Sequence, residues 1–174
     1  MVGRQVAENP GFLRRNVAEG HIIGNHTYDH ADMSGLSAAQ MRDQLRSTQE
    51  AVDDALGHHH PTALMRPPYG NPYFEGSNAL PGFRSVVWGQ RLFPVTWTVD
   101  PSDYLLGDDP DDVVRAVARA DKAGAKGEND EVVLPHDNQR QTADALPGII
   151  DRYEGSGRRF VDVDELLADK YLDP

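Results

Sequence analysis

The chain has 174 residues, enough for one domain with a sizeable core, and its 28 acidic against 17 basic residues give a formal net charge of −11 at pH 7. That balance argues against nucleic acid or an anionic membrane surface as a partner and is compatible with a neutral or cationic glycan. The absence of cysteine excludes disulfides and thiolate metal sites, no apolar run is long enough to span a membrane, and the first residues lack the apolar core of a secretory signal, so nothing in this sequence supports export.

Asn9 before Pro10 reads as a helix N-cap with proline at the first helical position, and Phe12, Leu13 and Val17 give that opening helix one apolar face up to Gly20. Ile22 and Ile23 read as a short strand that delivers Gly24 to His30 at its carboxyl end, where ligands gather in parallel α/β sheets. Ser37 with Gln40 three residues on forms a capping-box pattern, and Met41, Leu45, Val52 and Leu56 run along a helix that ends at Gly57. His58, His59 and His60 follow as a solvated loop. Thr62 to Met65 reads as a strand running into Arg66, and the proline pair after it as a rigid turn.

Beyond a loop from Asn71 to Pro81, the residues Phe83, Val86 and Val87 fit helix or strand. Helix is the reading adopted, because a right-handed crossover is needed before the next strand, Phe93 to Val99. Asp109 and Pro110 cap a helix from Asp111 to about Ala123, whose early acidic residues suit the positive end of the helix dipole. Lys126 to Asp130 reads as loop and Glu131 to Leu134 as a β-branched strand. A helix through Leu146, Ile149 and Ile150, a strand at Phe160 to Val163 and a helix at Glu165 to Leu172 complete the chain. Alternating strands and helices predict a parallel α/β arrangement.

Four stretches carry the residues with chemistry: HTYDH from His26, RPPYG from Arg66, DPSDY from Asp100 and LPHD from Leu134. His26 and His30, at i and i+4, would share one face of a helical turn, the geometry by which two neutral imidazoles grip a divalent ion; the spacing alone fits a polar surface turn as well. In this order the stretches resemble the second to fifth motifs of the polysaccharide deacetylase family, the NodB-homology or carbohydrate esterase family 4 enzymes: H-[ST]-x-x-H, R-x-P-Y, D-x-x-D-W and L-x-H. The resemblance runs from Val2 to Leu167. It implies an α/β fold, a distorted (β/α) barrel, and a metal-dependent hydrolase that removes acetyl groups from N-acetylated or O-acetylated polysaccharide such as chitin oligomers or peptidoglycan, in a family that is often extracytoplasmic.

The resemblance also implies roles. His26 and His30 bind Zn²⁺ or another divalent transition metal, and Tyr69 offers its backbone N–H to the oxyanion. Arg66 orients the base carboxylate. His136 is the general acid, held and raised in pKa by Asp100. Leu134 lines the pocket for the acetyl methyl, and Tyr104, in place of the motif's tryptophan, keeps an aromatic wall at the sugar subsite.

The family's first motif, T-F-D-D, which supplies the base aspartate and the third metal ligand, is absent. The pairs Asp53-Asp54, Asp108-Asp109 and Asp111-Asp112 stand in helix or helix-cap contexts and are not promoted in its place. The expectation is one family domain over residues 1–174, truncated at its amino end, an incomplete barrel without its first strands. Such a chain is impaired as an enzyme, and its uncovered sheet edge invites association. The alternative expectation is a catalytically inactive member that binds glycan or is completed by a partner chain.

Overall fold

A computed structural model describes residues 1–74, 78–124 and 131–171, and the chain divides into two compact units, Met1–Thr96 and Trp97–Pro174. In the first unit, two short helices, α1 (Gly3–Glu8) and α2 (Pro10–Ala18), precede the long α3 (Ala38–Leu56). The capping box read from the sequence is present: Ser37 accepts the Gln40 N–H, and Gln40 returns its side-chain oxygen to the Ser37 N–H. Gly57 then ends α3 in the left-handed conformation, φ 75°. The buried residues Met41, Leu45, Thr48, Val52 and Ala55 lie at the spacing of one helical face. Met41 and Leu45 pack with Met33, Met65, Phe83 and Val87, whereas Val52 and Ala55 pack with Val6, Leu13 and Ile23, so this one helix joins two apolar clusters. Each fully buried large side chain contributes about 1.5–3 kcal/mol.

The sequence reading opens the first helix at Pro10 and misses α1, whose one apolar core residue, Val6, is too few to show a period. α1 is held from outside instead: the N–H groups of Gly3 and Arg4, which no helix can satisfy internally, bond to the carbonyls of Thr27 and Tyr28 at 3.0 and 2.8 Å. In α2 the apolar face is corrected to Leu13 and Val17, because Phe12 is 70% exposed, and Asn9 makes no side-chain cap bond.

Strands β1 (Leu64–Met65) and β2 (Phe93–Pro94) pair in parallel, and α4 (Leu80–Gly89) forms the crossover between them, as the sequence predicts. Asn25 bridges Met65 in parallel, through Asn25 N–H to the Leu64 carbonyl and Arg66 N–H to the Asn25 carbonyl. The strands expected at Ile22 to Ile23 and along Phe93 to Val99 shrink to these points of pairing. The consequence is positional. His26 and Arg66 leave the carboxyl ends of neighbouring parallel segments side by side.

The second unit holds α5 (Pro110–Gly124), α6 (Arg140–Gly155) and α7 (Val163–Tyr171). Val113 and Val117 of α5 pack with Ala145, Ile149 and Tyr153 of α6 around Val99. Asp109 accepts the Asp111 N–H, so the predicted start of α5 stands. Val99 and Val133 form a single parallel bridge, with Leu134 N–H on the Val99 carbonyl, in place of the longer strand expected at Glu131 to Leu134. The strand expected at Phe160 to Val163 does not form. Phe160 is 52% exposed and set edge-on to Tyr153, and Val163 starts α7 with Asp164 and Glu165 at its positive end. The loop expected at Lys126 to Asp130, part of the Asn71 to Pro81 loop, and Leu172 lie outside the described residues. Among the described residues no helix is long and apolar enough to cross a membrane.

Candidate functional site

In the first unit, His26 and His30 do not ride on a helical turn as the spacing suggests. Thr27 (φ 61°) and His30 (φ 64°) take the left-handed conformation, and the loop they bend sets the two rings edge to face with centroids 4.8 Å apart. Asn25, 1% exposed, holds the bend: its Nδ2 donates to the Leu45 carbonyl of α3, and its Oδ1 accepts the Thr27 N–H. The sequence reading passes over Asn25. Its signal was the known tendency of asparagine to bond nearby backbone and so set a turn.

His26 Nδ1 lies 2.7 Å from the Arg66 carbonyl, an acceptor only, so Nδ1 carries the proton and Nε2 is the unprotonated nitrogen of the neutral ring. Burial pushes the His26 pKa down to about 4, against the opposing pull of that hydrogen bond, and the ring is neutral at pH 7. His30 Nδ1 stands 3.3 Å from the Tyr69 hydroxyl, with the rings edge-on at 4.9 Å. Tyr69 is itself left-handed (φ 60°, ψ 6°) and is followed by Gly70 at φ 72°, where a Cβ would fall 2.4 Å from the Phe74 ring. The Tyr69 N–H makes no hydrogen bond among the described residues. Asn71 Nδ2 donates to Asp32 Oδ2 at 2.9 Å, which ties the loop after His30 to the loop after Tyr69. Arg66 is half-buried, and burial lowers its pKa from the ordinary arginine value.

Two imidazoles in contact, one with its Nε2 open, suit a borderline divalent ion such as zinc, whose catalytic sites use three protein ligands. His26 and His30 fit two of those places. Among the described residues no group of three His, Cys, Asp or Glu gathers to fill the third.

In the second unit the partner of His136 is Asp103, which corrects the assignment to Asp100. Asp100 is exposed, and its oxygens are engaged locally: Oδ1 accepts the Ser102 N–H at 2.8 Å and Oδ2 the Trp97 indole N–H at 3.1 Å. It is the turn-former before Pro101. Ser102 (φ 49°) then bends the chain so that Asp103 points inward, 0% exposed. Asp103 Oδ1 accepts from His136 Nδ1 at 2.7 Å, and Oδ2 accepts from the His136 N–H at 2.7 Å and the Thr142 hydroxyl at 2.6 Å. Burial alone would raise the Asp103 pKa, but the bonds from Thr142 and from the His136 backbone and ring outweigh it and hold the carboxyl below its ordinary value. Tyr104 stands edge-on to the His136 ring at 5.2 Å and is 53% exposed; Leu134 is half-buried two residues before His136. The sequence holds both aspartates of D-P-S-D, and only the turn decides between them.

Residues 1–78 match the family model for polysaccharide deacetylase. Peptidoglycan-N-acetylglucosamine deacetylase PgdA of Listeria monocytogenes is 31% identical over 172 residues, which are 98% of this chain and 32% of that curated relative's own length. A family 4 carbohydrate esterase from Streptomyces lividans, solved in complex with acetate, superposes with a TM-score of 0.72 at 34% identity, covering 90% of this chain and 73% of that one. A family 4 pseudoenzyme from Bacillus anthracis gives a TM-score of 0.79 at 27% identity, covering 95% of this chain and 53% of that one.

Proposed function

Because the chain belongs to the polysaccharide deacetylase family, carbohydrate esterase family 4, we propose that it serves the metal-dependent hydrolysis of acetyl groups on an N-acetylated glycan of the chitin-oligomer or peptidoglycan kind. The observation that carries this reading is the pairing of a fully buried, ionised Asp103 with His136 at the exit of a parallel bridge. With Nδ1–H donated to Asp103, the proton that His136 gives to a leaving amine sits on Nε2. His26 and His30 would hold the divalent ion, Zn²⁺ being the ion of this reading, and when bound it supplies a Lewis acid for the acyl oxygen. The Tyr69 N–H is the donor for the developing oxyanion, a role favoured by its lack of any other partner among the described residues. Arg66 orients a base carboxylate, Leu134 faces the acetyl methyl, and Tyr104 offers its exposed ring to the sugar.

The fold of this reading is a single family domain over both units, a distorted (β/α) barrel to which the chain gives the segments at Asn25, β1, β2, Val99 and Val133. A base and a third metal ligand are not among these residues, since T-F-D-D is absent from the 174. The likeness to a family 4 pseudoenzyme favours a second reading: an inactive member that binds glycan or is completed by a partner chain.

Acetate release from N-acetylglucosamine oligomers and from peptidoglycan, at saturating Zn²⁺, separates the two. Loss of a base alone costs ~10²–10⁴ in rate, so the 174 residues by themselves should release no measurable acetate. A chimera that adds a T-F-D-D strand from a family member should release it. An inactive chimera would favour the second reading, and full activity of the 174 residues would mean that a carboxylate set aside above, or one from a second chain, completes the site.

A further inference from the structure

The Asp103 carboxylate has three donors, and two of them, the N–H and the Nδ1–H of His136, come from one residue. One of the two is a main-chain donor and the other the ring, so both hold the carboxylate to the His136 loop and neither ties it to another helix. The third donor is independent. The Thr142 hydroxyl, on a residue 4% exposed in the first turn of α6, reaches Oδ2 at 2.6 Å, a short distance typical of a donor to a charged oxygen. An ionised carboxylate only accepts, so the threonine must donate. Beside it Gln141, 8% exposed, donates Nε2–H to the Asp103 main-chain carbonyl at 3.4 Å. α6 is anchored in turn by Ala145 and Ile149, which pack against Val113 and Val117.

Resting on the reading of His136 as the acid, we propose that Thr142 is a positioning residue: its hydroxyl, carried on the packed helix α6, fixes the plane of the Asp103 carboxylate and through it the ring of His136. Thr142 itself touches no reacting atom in this arrangement. Among the described residues the titratable groups in contact with His136 are Asp103 and Tyr104, and Thr142 acts on the first of them. A hydroxyl that donates to the anion also favours the anion, so removing it shifts the carboxyl titration upward.

The test is a pair of variants in the full 174-residue chain, Thr142→Val, which keeps the shape and loses the donor, and Thr142→Ser, which keeps the donor. The Asp103 carboxyl carbon is followed by NMR from pH 2 to 7, together with water exchange of the His136 Nδ1 proton. In Thr142→Val the Asp103 midpoint should rise by roughly one pH unit and the Nδ1 proton should exchange several-fold faster, while Thr142→Ser should match the parent on both. An unshifted Thr142→Val, or a Thr142→Ser that shifts equally, would overturn the proposal, the latter by assigning the effect to the lost methyl. Should Thr142→Val fail to fold, the parent protein decides. A slowly exchanging Thr142 hydroxyl proton with a cross-peak to the His136 ring proton is expected, and its absence overturns the proposal. None of these readouts uses acetate release, so a failed Thr142 proposal and a failed functional reading remain distinguishable.

Discussion

The bridges Asn25–Met65 and Val99–Val133 are each a single parallel pairing, and each sends two chemistry-bearing loops from its carboxyl end, yet the side chains they deliver are prepared for opposite charge states. In the first unit, burial outweighs the one hydrogen bond that favours a charged His26, from its ring to the Arg66 carbonyl, and its pKa falls to about 4. In the second, Asp103 is more deeply buried than any other carboxylate described and still keeps its charge, because three donors converge on it. Burial by itself favours the neutral form of both groups, and the hydrogen-bond partners decide whether it prevails. A neutral imidazole is what a divalent ion requires, and a held anion is what a neighbouring acid requires.

The comparison can be broken most severely at the histidine pair. His26→Ala or His30→Ala should reduce Zn²⁺ binding in titration calorimetry below detection, since a two-ligand pair binds weakly even when intact, whereas Asp103→Asn should leave it unchanged. Unchanged affinity in both histidine variants would remove the metal assignment. Next in size, Asp103→Asn leaves buried donors facing an amide and should cost about 3–5 kcal/mol in denaturant unfolding. Asp100→Asn, which preserves an exposed Asx turn, should stay within about 0.5 kcal/mol. Equal costs for the two would return the pairing to Asp100.

A smaller effect follows from His26 alone. Its folded pKa of about 4 lies below the ordinary 6.5, so the folded state binds fewer protons than the unfolded chain between those values. The stability tied to the neutral ring is fully present above pH 6.5 and is lost as pH falls through 4, roughly 3 kcal/mol in all. Unfolding free energies measured from pH 7 to pH 4 should fall less steeply in His26→Ala by that amount. Parallel slopes would contradict a half-buried His26 held neutral.

Much of this architecture was legible in the residues. The capping box at Ser37 and the start of α5 at Asp109 rest on local chemistry that a sequence carries, whereas the α4 helix through Phe83, Val86 and Val87, ambiguous locally, follows from the crossover that two parallel strands require. The pairing of strands was not. Ile22, Ile23 and Phe160 have strand composition, but whether an extended segment finds a neighbour depends on distant residues. The site divides the same way. The histidines, Arg66 and Tyr69 are readable as residue types in an order, whereas the left-handed turns at Thr27, Tyr69 and Ser102 that aim them are not, because threonine, tyrosine and serine give no composition signal for φ above zero. The turn at Ser102 is what brings Asp103 rather than Asp100 to His136.

The opposite charge states of the two loops are tested together by one NMR pH titration of the 174-residue chain, following the His26 ring nitrogens and the Asp103 carboxyl carbon in the same sample. His26 should stay neutral, protonated at Nδ1, down to about pH 4, and Asp103 should stay ionised to below the ordinary carboxylate value of 3.8. A His26 ring that titrates near 6.5 or carries its proton on Nε2, or an Asp103 that takes up its proton above 3.8, would contradict the contrast between the two units.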